Sequence, residues 1–190
     1  KKEFLPYLEA IHERLQIPVI YVTHSMEEVA RLADYLIIME GGKAVAAGAL
    51  SDVLADVNLP PVFGEETGVV IEGNVSERDT DWHLIRANID GGQLWVKDTG
   101  EALGEKIRIR ILARDVSLAL KNYSDTSIIN RLKTTVVHMQ VDSDAAMVIV
   151  TLSCGGDKLI SRISKRSADL LRINVGKEVW AQIKGVAILR

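Results

Sequence analysis

The chain is poor in the residues that mark several common protein classes. One cysteine in 190 residues leaves no intramolecular disulfide to build, which agrees with a reducing cytosol, and Cys154 reads as a small apolar filler. Aromatic residues make up 5%, and the three tryptophans, Trp82, Trp95 and Trp180, are spread rather than clustered. They form no neighbouring stacking platforms for single-stranded nucleic acid. Neither charge dominates: 23 basic residues face 26 acidic ones for a net charge of −3, with both signs interspersed, so the sequence gives no reason to expect a nucleic-acid partner. No apolar run approaches the roughly 20 residues that cross a bilayer, and no signal-peptide pattern is present, so any membrane link is expected to go through a partner.

What is there divides into two textures. At 47% hydrophobic, the chain can bury one sizeable core or two small ones. Up to about Asp56 the pattern is helix, strand, helix, hairpin and short helix, an α/β segment. Phe4, Leu8, Ile11 and Leu15 lie on one helical stripe. Val19 to Thr23 is a β-branched and aromatic run short enough for a strand buried on both faces. Ser25 follows as an N-cap with Glu28 three positions on, the pattern of a capping box whose carboxylate reaches back to the cap amide. His24 is thereby placed between the end of a strand and the start of a helix, where open α/β sheets bind ligands. Asn58 to Glu66, with Pro60, Pro61 and Gly64, reads as a linker.

From Thr67 onward period-two alternation takes over. Strands are predicted at Gly68–Val75, His83–Ile89, Gln93–Val96, Lys106–Ala113, Thr134–Val141, Met147–Ser153, Lys158–Ile163 and Glu178–Leu189, and a helix at Ser167–Leu171. The region also looks doubled. Gly104-Glu105-Lys106-Ile107-Arg108-Ile109-Arg110-Ile111 parallels Gly176-Lys177-Glu178-Val179-Trp180-Ala181-Gln182-Ile183, each preceded by a Gly-Gly turn, at Gly91-Gly92 and Gly155-Gly156. The predicted organisation is residues 1–57, a linker at 58–66, and two halves at 67–124 and 125–190, each a five-stranded OB-like barrel. The fold class is thus an α/β segment followed by an all-β domain.

The segment from Thr23-His24 through the helix to Asp34 resembles the switch-histidine region of ATP-binding-cassette ATPases. Tyr35 to Gly48 is similar to the closing hairpin of that family, and Ser51 to Ala55 to the short helix near its domain end. The resemblance implies that His24 contacts the γ-phosphate of an ATP sandwiched between two subunits, with magnesium as the companion ion. No Gly-x-x-x-x-Gly-Lys-Ser/Thr loop occurs in the 190 residues, nor an apolar strand ending in Asp-Glu. Alone, the chain is therefore expected not to hydrolyse ATP. Leu152-Ser153-Cys154-Gly155-Gly156 only superficially matches the family's Leu-Ser-Gly-Gly signature and reads as a strand entering a hairpin turn. The opening Lys1-Lys2-Glu3 falls mid-helix without a methionine or a cap, which is expected of a piece of a longer polypeptide.

Arg108 to Leu118 is similar to a segment of the accessory domain in molybdate-importer ATPases. Thr126-Ser127-Ile128-Ile129-Asn130-Arg131-Leu132 resembles the Ser-Ala-Arg-Asn opening of small molybdate-binding proteins, and Ala181-Gln182-Ile183-Lys184-Gly185-Val186 their closing lysine strand. That resemblance implies a molybdate or tungstate site at Ser127, Asn130 and Lys184, shared with a second subunit in a homodimer. It further implies integral membrane permease subunits as partners and a cytoplasmic, peripheral position on the inner face of a bacterial plasma membrane. Ile129 stands where those proteins have arginine, which removes a five-donor fork. Arg131 and Lys133 are the nearby cations, but alternation aims them elsewhere. An importer ATPase for sulfate, iron or sugar, or a free-standing oxyanion-storage protein, are the other readings.

Overall fold

The computed structural model describes residues 5, 7, 8, 18–56 and 66–189. Of the predicted opening stripe only Leu8, and of the predicted linker only Glu66, lie among them. The first segment contains helix α1 (Met26–Leu32), the hairpin β1 (Tyr35–Glu40) and β2 (Lys43–Ala49), and helix α2 (Leu50–Leu54). The hairpin closes through Gly41 and Gly42, whose φ angles of 55° and 78° are the positive values a tight two-residue turn demands.

Val19 to Thr23 is a correction. The run forms no strand and pairs with none among the described residues, and Ile20 and Val22 are 94% and 91% exposed. A run apolar on both faces needs a strand on each side and a layer above and below, and the described residues supply neither.

The all-β region consists of β3 (Gly68–Asp79), β4 (Leu84–Ile89), β5 (Gly92–Lys97), β6 (Lys106–Leu112), β7 (Val116–Ala119), β8 (Asn130–Val141), β9 (Met147–Cys154), β10 (Asp157–Ser164), β11 (Glu178–Ile183) and β12 (Ala187–Leu189). They form two five-stranded sheets, in the orders β12-β6-β3-β4-β5 and β10-β9-β8-β11-β7. Matching β3 to β8, β4 to β9, β5 to β10, β6 to β11 and β7 to β12 turns one order into the other. The halves are therefore repeats that exchange their fifth strands, β7 joining the second sheet and β12 the first.

Registers carry the equivalence to single residues. Ile109 lies between Ile71 and Ile188, and Ala181 between Leu132 and Leu118. Ile107, Ile109 and Ile111 on one side, and Val179, Ala181 and Ile183 on the other, are all buried. Even the bulges match, one between Val75 and Glu77 and the other between Val136 and His138. The inward residues of both sheets merge into one core containing Ile85, Leu94, Leu152 and Leu159.

Several predicted boundaries change: β3 runs on to Asp79 rather than ending at Val75, and β8 begins at Asn130 rather than at Thr134. Glu178–Leu189 is not one strand, because residues 184–186 break it into β11 and β12 as the chain crosses between sheets. The short strand β7 was not predicted, since four residues carry little periodicity and its partner β11 lies far along the chain. A third helix, α3 (Lys165–Leu170), starts two residues before its predicted position because Ser164 caps it, accepting from the Ser167 amide at 3.0 Å.

The two β4–β5 and β9–β10 turns meet. The Gly91 amide donates to Asp157 Oδ2 at 3.0 Å, and Cys154 Sγ donates to the Gly91 carbonyl at 3.2 Å. A Cβ on Gly155 would stand 2.5 Å from the Asp90 carbonyl oxygen, so the contact requires glycine. The crossover connections meet as well, the Lys184 amide donating to the Asp115 carbonyl at 2.8 Å.

Candidate functional site

His24 occupies the bend before α1, and its side chain is exposed. Both neighbours are fixed. Ser25 caps α1 by accepting from the Glu28 amide at 3.4 Å. The reciprocal arm of the expected capping box is replaced: the Ser25 amide donates to Thr23 Oγ1 at 3.0 Å, and that hydroxyl donates to Glu28 Oε2. Thr23 is closer to the cap than the carboxylate and relays the bond. Tyr21 also donates to Glu28 Oε2, at 3.1 Å, and this bond, followed by burial and the Glu28 charge, holds the Tyr21 hydroxyl above its ordinary pKa. The imidazole thus projects from a turn locked by Thr23, Ser25 and Glu28.

Ser127, Asn130 and Lys184 belong to segments that run side by side, since Asn130 pairs with Ile183 in the β8–β11 register. Ser127 and Lys184 are exposed. Asn130 is 5% exposed, and its amide turns inward: Oδ1 accepts from the Trp95 amide at 2.7 Å and Nδ2 donates to the Trp95 carbonyl at 2.8 Å. It closes the open edge of β5 rather than facing solvent. Ile129, 53% exposed, offers no donor. Of the neighbouring cations, Arg131 donates to the Tyr123 carbonyl and Lys133 pairs with Glu178 at 2.9 Å. Asp115 adds a feature the sequence did not disclose: a Cβ on Gly185 would lie 2.7 Å from Asp115 Oδ2, so a carboxylate stands against the backbone next to Lys184.

A cleft of about 620 Å³ separates the first segment from the first sheet, lined by Asp34, Ser51, Glu72, Asn74, Lys106 and Arg108 among others. Lys106 pairs with Glu72 at 2.6 Å. Arg108 Nη1 donates to the Ala33 carbonyl at 3.1 Å and reaches the Arg31 carbonyl at 3.5 Å, while Nη2 pairs with Asp34. Below the cleft, Met26, Val29 and Ala30 of α1 pack with Leu50, Leu54 and Val70, joined by Leu189. Asp157 reaches the same cleft; burial and the nearby Asp90 hold its carboxyl above the ordinary range against the Gly91 hydrogen bond. Arg108 was visible only as an outward arginine between inward isoleucines; its reach to a helix end distant in sequence left no mark in the alternation.

Residues 126–189 match the TOBE domain model. Over all of its length the chain is similar to molybdenum import ATP-binding proteins ModC, at 47% identity in Methylococcus capsulatus and 48% in Thiobacillus denitrificans, and at 46% in Pseudomonas aeruginosa. It spans about half of each, 53%, 52% and 53% respectively. Among solved structures, the cytoplasmic molybdate-binding protein ModG in its molybdate-bound form shares the fold, with a TM-score of 0.52 at 23% identity, over 63% of this chain and 93% of that one. The likeness to ModG accounts for the paired OB-like sheets. From Thr23 through the hairpin to the exchanged strands, the chain is a relative of the ModC molybdenum import ATP-binding proteins, and residues 126–189 belong to the TOBE domain family.

Proposed function

We propose that the chain is the carboxyl-terminal part of the ATP-hydrolysing subunit of a bacterial molybdate or tungstate import complex. The observation that carries this is the identity of 46–48% to ModC proteins running through both the ATPase-like segment and the paired sheets. In this reading residues 1–57 end a nucleotide-binding domain of the P-loop class, and His24 senses the γ-phosphate when two subunits close over ATP. The 190 residues contain no phosphate loop and no magnesium-holding Asp-Glu strand, so on their own they do not fit ATP or magnesium, and the chain has no hydrolytic activity by itself. The parent works as a homodimer bound to membrane permease subunits on the cytoplasmic face.

The accessory region takes the oxyanion between two copies, because one turn offers too few donors to surround a dianion. Ser127 and Lys184 are the direct contacts in this reading, and Asn130 holds the turn through Trp95. Calorimetric titration of the chain with molybdate, tungstate and sulfate tests it. The expected result is binding of molybdate and tungstate with one anion shared by two chains, weakened at least about tenfold by Lys184→Ala. Heats equal to buffer dilution for all three anions would overturn the oxyanion reading. Dimerisation would then remain as the region's role.

A further inference from the structure

The strand exchange places the last strand of the second half against the ATPase-like segment. Leu189 of β12 stands opposite Arg108 of β6 and packs on the α1 cluster of Met26, Val29 and Ala30. Beside it, the Arg108 guanidinium spans the Arg31 and Ala33 carbonyls and the Asp34 carboxylate. Last-turn carbonyls lack partners inside a helix and carry the negative end of its dipole, so a planar cationic fork is suited to that end. The other end of α1 is locked by Thr23, Ser25 and Glu28 around His24. A helix of seven residues fixed at both ends moves as a unit. At its own start β12 is fed by the connector beginning at Lys184, which is tied to Asp115.

We propose that β12 and Arg108 form a mechanical link between the Lys184 end of the second half and the helix behind His24. The link joins two adjacent strands to one helix, by an apolar side chain and by an ionic fork. Packed junctions of this kind switch between arrangements rather than deform continuously. A displacement of the Lys184 connector is therefore passed along β12 to α1 rather than absorbed. Its use as a signal between oxyanion and nucleotide rests on the function proposed above; the link itself does not.

A double-mutant cycle read by amide hydrogen exchange in this chain, without any ligand, tests the link. Arg108→Gln should speed exchange of the Val29 and Ala33 amides about tenfold while β8 and β9 stay protected. Gly185→Ala, whose Cβ would meet Asp115 Oδ2 at 2.7 Å, should displace the connector and speed the same amides several-fold. In the double variant the two effects should not multiply. The His24 ring resonances should move in both single variants and stay in place in Lys106→Gln, which removes a charge from the same strand. If Gly185→Ala unprotects β8 and β9, Leu189→Ala takes its place in the cycle with the same expectation. Unchanged α1 exchange in Arg108→Gln, or effects that multiply in the double variant, would overturn the link. A failed molybdate titration would instead overturn the oxyanion reading and leave the link, as measured by the cycle, untouched.

Discussion

At the scale of single residues, Asp157 and Asp115 show how a carboxylate's neighbours set its effect. Asp157 sits near Asp90 and accepts from Gly91, with its carboxyl raised by burial and by Asp90. A raised carboxyl favours the folded state below its unfolded pKa, and that contribution is lost as pH rises toward the folded value. Asp157→Asn keeps an acceptor for Gly91 and removes the repulsion. It should raise stability by on the order of 0.5 kcal/mol at pH 7, with the advantage over the parent vanishing below about pH 4; thermal melts across that range measure it, and a destabilised variant at pH 7 would contradict the account. The Asp115 carboxylate stands beside the Gly185 backbone, next to Lys184, where it opposes any dianion. Asp115→Asn and Ile129→Arg should each tighten molybdate binding in the same titration, and binding unchanged in both would move the site away from this turn. Asn130 stood out in the sequence only through the resemblance of its turn to the oxyanion-binding opening. That its partner is the Trp95 backbone was not legible, because the partner lies 35 positions away.

At the scale of elements, the paired turns distinguish conformational strain from contact. Gly155 has φ +62° and would bring a Cβ within 2.5 Å of the Asp90 carbonyl oxygen, whereas Gly104 has φ +82° and open space around it. Gly104→Ala should therefore cost about 1–2 kcal/mol from backbone strain alone. Gly155→Ala should cost that plus roughly 1–3 kcal/mol for forcing the turns apart, as denaturant midpoints at fixed slope would report. Equal losses would mean that the turns do not press on each other. Most of these elements were visible in the sequence because alternation over six or more residues announces a strand. The hairpin β1–β2 was visible through its glycines, and α1 through Ser25. The exchanged strands were not visible as separate elements. The four residues of β7 carry too little periodicity to be told from a connector, while the three of β12 were visible only as the tail of the run Glu178–Leu189, and pairing across the repeat is what separates them from β11.

At the scale of the molecule, the exchange decides how the paired sheets unfold. Each sheet contains one strand from the opposite half, and the inward side chains of both share one core. Removing either half would leave an unpaired edge on β6 or β11 and open that core, so neither half holds its structure without the other. The two sheets should therefore unfold in one transition rather than in sequence. Tryptophan supplies a probe for each: Trp95 lies on β5 of the first sheet, with the Arg86 guanidinium 4.4 Å from its ring centre, and Trp180 lies on β11 of the second. Variants keeping only one of them, with the exposed Trp82 replaced by Phe, report each sheet separately. After correction for each substitution's own effect, measured by circular dichroism on the same samples, the fluorescence midpoints in urea should coincide with each other and with the loss of β signal. A first sheet that melts at lower urea than the second would show that the exchanged strands do not bind the halves into one unit. The link through β12 to α1 would then lack the rigid body it needs.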